Sequence, residues 1–406
     1  MVNRQDTHIP IPSVPNYNVI KEIGKGTYGC VYEAVDRRDG TLVALKRVLP
    51  KIEREGFPIT AVREIKALKC LHHENILELH DVVFQPGQGI SGKVTVYMVF
   101  PFIKHDMVGI QHFRHNKLSL PEVKCITLQL LKGLQYLHSQ RIVHRDLKLA
   151  NLLMDEGGVL KIADFGLARI QIPERPDQTN KVVTRWYRPP ELLLGATKYD
   201  FNVDMWSVGA IFGELVTGSP LFPGDSEIHV LRFVFDTIGP PTESLWPGYR
   251  MLSDCAKMIS EVAEARRELA EYSRQPVGEC RYDSRAGRPV HLLAKDGDTN
   301  YLDRQVFKRL FSGLSDFGQH FIESLLQYDP SKRLSATDSL RHRFFRETPE
   351  TCFPDAVYLP SECRRELHVK DGIPIMNATG GKRCHHVVDQ SFGVELPVPN
   401  KRRRKV

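Results

Sequence analysis

The sequence predicts an α+β protein in two lobes, a small strand-rich N-terminal lobe carrying one helix and a larger, mostly helical lobe after it. Two observations carry that expectation. Hydrophobic periodicity changes near residue 103 from about two to about 3.6 residues, and 406 residues exceed what one compact core of under ~250–300 residues accommodates. From Tyr17 to about Ile103 the runs VIKEIG, CVYEAV, TLVALKRV and KVTVYMVF alternate between glycine-bearing turns, as strands do. One helix interrupts them, opening at Pro58 and placing Val62, Ile65, Leu68 and Leu71 on one face. From Lys104 to Arg346 helical spacing dominates. It begins at Ser119-Leu-Pro-Glu122, a capping box with proline near the helix start, and Leu130, Leu134 and Leu137 continue as a buried stripe.

The flanks read differently. Residues 1–16 carry Pro10, Pro12 and Pro15 and predict an extended arm. Residues 254–300, a helix-like stretch from Asp254 to Arg274 followed by a polar segment to about Asn300, predict a solvated surface insertion. Residues 347–406 lack clear periodicity and predict a partly ordered tail.

Five of the seven net positive charges lie in Lys401 to Lys405, so the body of the chain is near neutral and does not predict direct nucleic-acid binding. The basic end itself fits a nuclear import signal. Eight cysteines without a C-x-x-C pair argue for a reducing compartment and against a zinc ribbon. Cys384-His385-His386, with Cys352 and Cys363 upstream, has ligand types without a zinc spacing. The start lacks the apolar core of a leader, and no run of ~18 apolar residues occurs. A soluble, intracellular protein without membrane association is expected.

The first chemical motif is Gly24-Lys-Gly26-Thr27-Tyr28-Gly29-Cys-Val31, between two strand-like runs. Its glycines let backbone approach phosphate oxygens closely. A dinucleotide-binding turn would run into a helix, whereas here VYEAV continues as strand and Val43-Ala44-Leu45-Lys46 follows. A lysine on an apolar strand needs an anion, which phosphates or Glu64 of the helix would supply. Next come His144-Arg145-Asp146-Leu-Lys148-Leu-Ala-Asn151 and Asp164-Phe165-Gly166. Phosphoryl transfer asks for charge neutralisation and alignment, and these residues divide that work. Asp146 would accept or orient the substrate hydroxyl proton, Lys148 would neutralise the moving phosphoryl, and Asn151 and Asp164 would hold magnesium through hard oxygen ligands.

With these motifs in this order, residues 17–346 resemble the protein kinase superfamily. Pro190-Glu191, Asp204-Met-Trp206-Ser-Val-Gly209 and Arg333 fit it too, the last as the partner of Glu191. The resemblance implies a bilobal fold with a lobe boundary near residue 103. It places Lys46 and Glu64 with Asp146 and Lys148 in catalysis. ATP would lie against Ile23, Gly24, Lys25, Gly26, Thr27, Tyr28, Gly29, Cys30, Val31, Ala44, Lys46, Phe100, Ile103 and Asp106, with the Pro101 carbonyl and the Ile103 N–H reading adenine.

Pro58-Ile-Thr-Ala-Val-Arg63-Glu64 resembles the cyclin-contacting helix of cyclin-dependent kinases. Glu55-Gly56-Phe57, His105-Asp106, Thr179-Asn-Lys-Val-Val-Thr-Arg-Trp-Tyr and Arg188-Pro-Pro-Glu191-Leu-Leu-Leu-Gly195 resemble most the transcription-elongation branch, the kinase subunit of positive transcription elongation factor b and its fungal relatives. That resemblance implies a cyclin subunit, without which the Lys46–Glu64 pair stays unformed. It implies an activating kinase that modifies Thr179, with Arg63, Arg145 and Arg169 collecting the phosphate. Val182-Val183-Thr184 matches the segment that directs such enzymes to Ser-Pro and Thr-Pro sites, and the RNA polymerase II tail is the substrate the branch suggests. Thr27 and Tyr28 match a pair of inhibitory phosphosites in cell-cycle members, so a cell-cycle kinase is the alternative. Arg185 resembles the kinase that activates other cyclin-dependent kinases and also mitogen-activated kinases, but Thr179-Asn180-Lys181 lacks the second acceptor tyrosine of the latter. A pseudokinase scaffold would have to leave intact Lys46, Asp146, Asn151 and Asp164 unused.

Overall fold

The computed structural model describes residues 14–26, 29–48, 59–85, 94–115, 118–171, 185–274, 282–283, 288–289, 302–359, 367–370 and 373–376. The N-terminal lobe is a sheet of β1 (Tyr17–Gly26), β2 (Gly29–Asp36), β3 (Leu42–Val48), β4 (Asp81–Gln85) and β5 (Thr95–Pro101), with helix α1 (Ile59–Leu68) between β3 and β4. Its strands pair antiparallel in the order β1-β2-β3-β5-β4. Gly24, Val31, Lys46 and Met98 are successive register partners across the sheet, so one row runs from the glycine turn to the lysine.

Alternation along the strands splits the side chains between two faces. Val43 and Leu45 pack outward with Tyr32, Ala34, Tyr97 and Val99 in a small satellite core. Ala44, Val48, Val96, Met98 and Phe100 face the other way and join the main core shared with the helical lobe. Lys46 is in phase with Ala44 and therefore faces the cleft. In α1, Glu64, Leu68 and the following Leu71 are buried. Val62, expected on that face, is instead 46% exposed. The helix rolls to bring Glu64 to Lys46, and at 100° per residue this turns Val62 outward.

The helical lobe follows: β6 (His105–Asp106), α2 (Met107–Phe113), α3 (Leu120–Ser139), and the short strands β7 (Ile142–Val143), β8 (Leu152–Met154), β9 (Leu160–Ile162) and β10 (Arg169–Ile170). Then come α4 (Pro190–Leu193), α5 (Asn202–Thr217), α6 (Glu227–Ile238) and α7 (Cys255–Arg274). A two-residue pair, β11 (Tyr282–Asp283) and β12 (Arg288–Pro289), precedes α8 (Leu302–Leu310), α9 (Asp316–Leu325) and α10 (Ala336–Leu340). The capping box forms as expected: the Ser119 N–H and hydroxyl donate to Glu122 at 2.8 and 2.7 Å, and Leu130, Leu134 and Leu137 are buried. Helix α5 is buried from Val203 to Leu215, and Trp206, Met205 and Phe212 are fully inaccessible.

After α10 the chain returns along α3. Lys124, fully buried, donates its ammonium to the carbonyls of Glu347 and Pro349 at 2.9 and 2.8 Å. Two further strands, β13 (Leu367–Lys370) and β14 (Ile373–Met376), extend the N-terminal sheet beyond β1, with β13 parallel to β1. Among the described residues no helix is long and apolar enough to cross a membrane. Cys363, Cys384, His385, His386 and the basic end lie outside the described residues.

Candidate active site

The glycine-rich turn joins β1 to β2 with Gly26 opposite Gly29. A Cβ at Gly29 would sit 2.0 Å from the Arg47 carbonyl oxygen, so no side chain fits. Ile23 and Cys30 are buried and Val31 half-buried, whereas Thr27 and Tyr28 lie outside the described residues. Beneath this roof Ala44, Phe100 and Ile103 are buried in one continuous core. A cavity of about 720 Å³ opens at the outer mouth of the lobe junction, lined by Lys21, Ile23, Glu33, Leu42, Ile103 and Asp155 among others. Proline is tolerated at residue 101 because β4 pairs with β5 only as far as Val99, so one side of the strand is an edge there. Asp106 is buried and caps α2, its Oδ1 accepting the Gly109 N–H at 2.8 Å.

Lys46 is the electrostatic centre of the cleft. Its Nζ donates to Glu64 Oε1 and to Asp164 Oδ1, each at 2.8 Å. Burial works against the ammonium, but the two carboxylates outweigh it and raise its pKa. Asp164 is likewise opposed by burial, yet the charges of Lys46 and Lys148 hold it well below the usual carboxylate range. Burial pushes Glu64 up, with Asp164 adding repulsion. The Lys46–Glu64 pair, which the resemblance ties to a cyclin subunit, is formed in this structure, and Asp164 shares the same ammonium.

The catalytic-loop motif sits between β7 and β8. Lys148 Nζ donates to Asp146 Oδ2 at 2.8 Å. Asn151 donates from Nδ2 to the Asp146 carbonyl at 2.8 Å and to its Oδ2 at 3.3 Å, which leaves its amide oxygen for a cation. Asp164 uses Oδ1 for Lys46, so Oδ2 is its remaining donor. One carboxylate and one amide oxygen fit magnesium, which takes few protein ligands and keeps the rest for phosphate and water.

The loop hangs from α5. Fully buried Asp204 accepts the backbone N–H of His144 at 2.9 Å, that of Arg145 at 2.8 Å, and His138 Nε2 at 3.0 Å. Burial opposes its ionisation, but the His138 hydrogen bond and charge keep it low. Arg145 takes φ 68°, a left-handed backbone that these two amide bonds secure. His144 is buried, donating from Nε2 to the Ala163 carbonyl at 3.1 Å and accepting the Asp146 N–H at Nδ1 at 3.3 Å. The end of the neighbouring segment is anchored by Glu191, which meets Arg333 through two bonds of 2.6 Å, both partners buried.

The protein kinase domain family matches residues 17–345. The chain belongs to the protein kinase family. Relatives of this kinase include cyclin-dependent kinase C-1 of Oryza sativa subsp. japonica, 39% identical over 356 residues that cover 85% of this chain and 61% of the relative. Cyclin-dependent kinase C-2 of Arabidopsis thaliana is 39% identical over 355 residues, 85% of this chain and 62% of its own. Cyclin-dependent kinase 11A of Homo sapiens is 40% identical over 337 residues, 83% of this chain and 38% of its own. The kinase thus spans about three fifths, or less, of the length of these relatives.

Of the site residues named from sequence, the structure brings Lys46, Glu64, Asp146, Lys148, Asn151 and Asp164 into this linked set of contacts. Arg145 and half-buried Arg169 lie beside the turn after Asp164. Thr179 and the 182–184 segment lie outside the described residues, and for Arg63, Lys25 and Gly26 only the backbone is described. Sequence reasoning missed three groups. Tyr199 accepts from Arg145 Nη1 at 2.7 Å. Tyr187 donates to Glu214 Oε2 at 2.7 Å in the core. His138 steadies Asp204. Tyr187 ends the Thr179 to Tyr187 motif without that motif pointing to its partner, Tyr199 and His138 lie in none, and a buried polar residue inside an apolar helix, such as Glu214 in FGELV, is the sequence signal that a partner is needed.

Proposed function

We propose that the chain is a serine/threonine protein kinase using ATP and magnesium, activated by a cyclin and directed to Ser-Pro and Thr-Pro sites, with the repeated tail of RNA polymerase II as its substrate. The observation that carries the catalytic part is the pair of hydrogen-bonded groups, Lys46 with Glu64 and Asp164, and Asp146 with Lys148 and Asn151, set beside each other by the Ala163 N–H donating to the Asn151 carbonyl. Similarity to cyclin-dependent kinases supports the cyclin, and the exposed Val62 on α1 fits a helix awaiting a partner. The transcriptional role rests on the sequence pattern around Glu55-Gly56-Phe57 and Thr179.

Bound ATP supplies the transferable phosphoryl group, and magnesium the positive charge that neutralises its oxygens. Lys46, held by Glu64, orients the phosphates. Asn151 and Asp164 hold the metal. Asp146 takes up the proton of the substrate hydroxyl as that oxygen bonds to phosphorus and the bond to the ADP oxygen breaks. Lys148, 2.8 Å from Asp146, keeps that carboxylate oriented and offers its charge to the moving group. An activating kinase places phosphate on Thr179, which Arg63, Arg145 and Arg169 collect.

Retention of Thr27 and Tyr28 favours a second reading, a cell-cycle cyclin-dependent kinase. One experiment separates the two. The tagged chain is captured from its native cell extract, the bound cyclin is identified, and the eluate is assayed on polymerase-tail heptad peptides with Asp146→Asn as control. A transcription-type cyclin with Asp146-dependent heptad phosphorylation supports the proposal, whereas a mitotic cyclin with histone phosphorylation moves the chain to the second reading. Nuclear location, through Lys401 to Lys405, is part of the proposal; cytosolic retention of a reporter carrying residues 395–406 counts against it.

A further inference from the structure

We infer that Tyr199 is a positioning residue: through Arg145 its phenol holds the turn that presents Asp164 before any phosphate is available to that arginine. The inference rests on the kinase reading above. Arg145 has three fixed points. Its backbone N–H is tied to Asp204 at 2.8 Å, its Nε donates to the Leu167 carbonyl at 2.7 Å, and its Nη1 donates to the Tyr199 hydroxyl at 2.7 Å. Leu167 ends the tight turn Phe165–Leu167 that directly follows Asp164. Asp164 itself takes φ 63°, a strained conformation for a residue with a side chain, so the turn needs support from outside.

Tyr199 is itself anchored. Its ring packs on the buried cluster of Val143, Leu192 and Val203, and its carbonyl accepts Gln171 Nε2 at 2.9 Å. Gln171 in turn donates its N–H to the Arg141 carbonyl at 2.7 Å, just past β10. The phenol is thus rigid relative to the loop it contacts, and a guanidinium fork with one arm on Tyr199 cannot swing its Nε away from Leu167. A phosphate arriving on the neighbouring segment would supply a stronger acceptor and take over that role.

The test is binding of a fluorescent ATP analogue to the phosphatase-treated full chain, wild type against Tyr199→Phe, with magnesium and with EDTA. The Phe ring keeps the apolar packing, and a matched thermal midpoint confirms the fold. Removing one hydrogen bond to a charged group predicts roughly tenfold weaker binding with magnesium and no change in EDTA. Unchanged binding with magnesium, or an equal loss in both media, overturns the inference. Failure of the wild type itself to bind the nucleotide would instead sink the kinase reading on which it stands.

Discussion

Replacing Glu214 by Gln should change how stability depends on pH, with a sign and size that follow from where Glu214 sits. Burial lifts its carboxyl from the ordinary value of 4.5 to about 7, against the opposing hydrogen bond from Tyr187. Below pH 4.5 both folded and unfolded chains carry the proton. Between 4.5 and about 7 the unfolded chain releases it while the folded chain keeps it, so stability falls as pH rises through that window and levels off above it. At ~1.36 kcal/mol per pKa unit the interval amounts to about 3 kcal/mol. Gln retains an oxygen to accept the Tyr187 hydroxyl and cannot ionise. The variant should therefore match the wild type near pH 4.5 and exceed it by about 3 kcal/mol above pH 7.5. Urea unfolding followed by tryptophan fluorescence measures this well, because Trp186, Trp206 and Trp246 all lie in the helical lobe. A stability gap that stays flat from pH 5 to pH 8, or narrows, refutes the assignment of a neutral buried carboxyl.

Arg333→Ala leaves Glu191 buried without its partner and should destabilise the helical lobe by about 3–5 kcal/mol, read as a lowered thermal midpoint, with Lys a poor substitute because it cannot make both bonds. Asp146→Asn should lower turnover by about a hundredfold to ten-thousandfold while nucleotide affinity measured by fluorescence stays near wild type; comparable loss of both would mean that Asp146 serves the fold instead. Gly29→Ala drives a Cβ into the Arg47 carbonyl and must displace the glycine turn, so the KM for ATP should rise roughly tenfold, and an unchanged KM would show that the turn does not cover the phosphates.

Much of the site was legible because phosphoryl transfer restricts residue types and spacing so tightly. Lys46, Asp146, Asn151 and Asp164 are each named by a short local motif, and the Glu191–Arg333 pair by family resemblance alone. The α1 face was misjudged at Val62 because periodicity sees only apolar residues. Here the inward position belongs to a carboxylate, whose partner is 18 residues away in sequence.

Local order along the chain was enough to establish the strand-rich lobe, the helical lobe, the capping box at Ser119, and the chemistry of the loop residues, since each depends on neighbours within a few positions. Whether Lys46 meets Glu64, which residue holds Arg145, and which hydroxyl reaches Glu214 depend on side chains brought together across 18, 54 and 27 residues. Burial strengthens such contacts by excluding water, and burial exists only once distant segments of the chain have packed together.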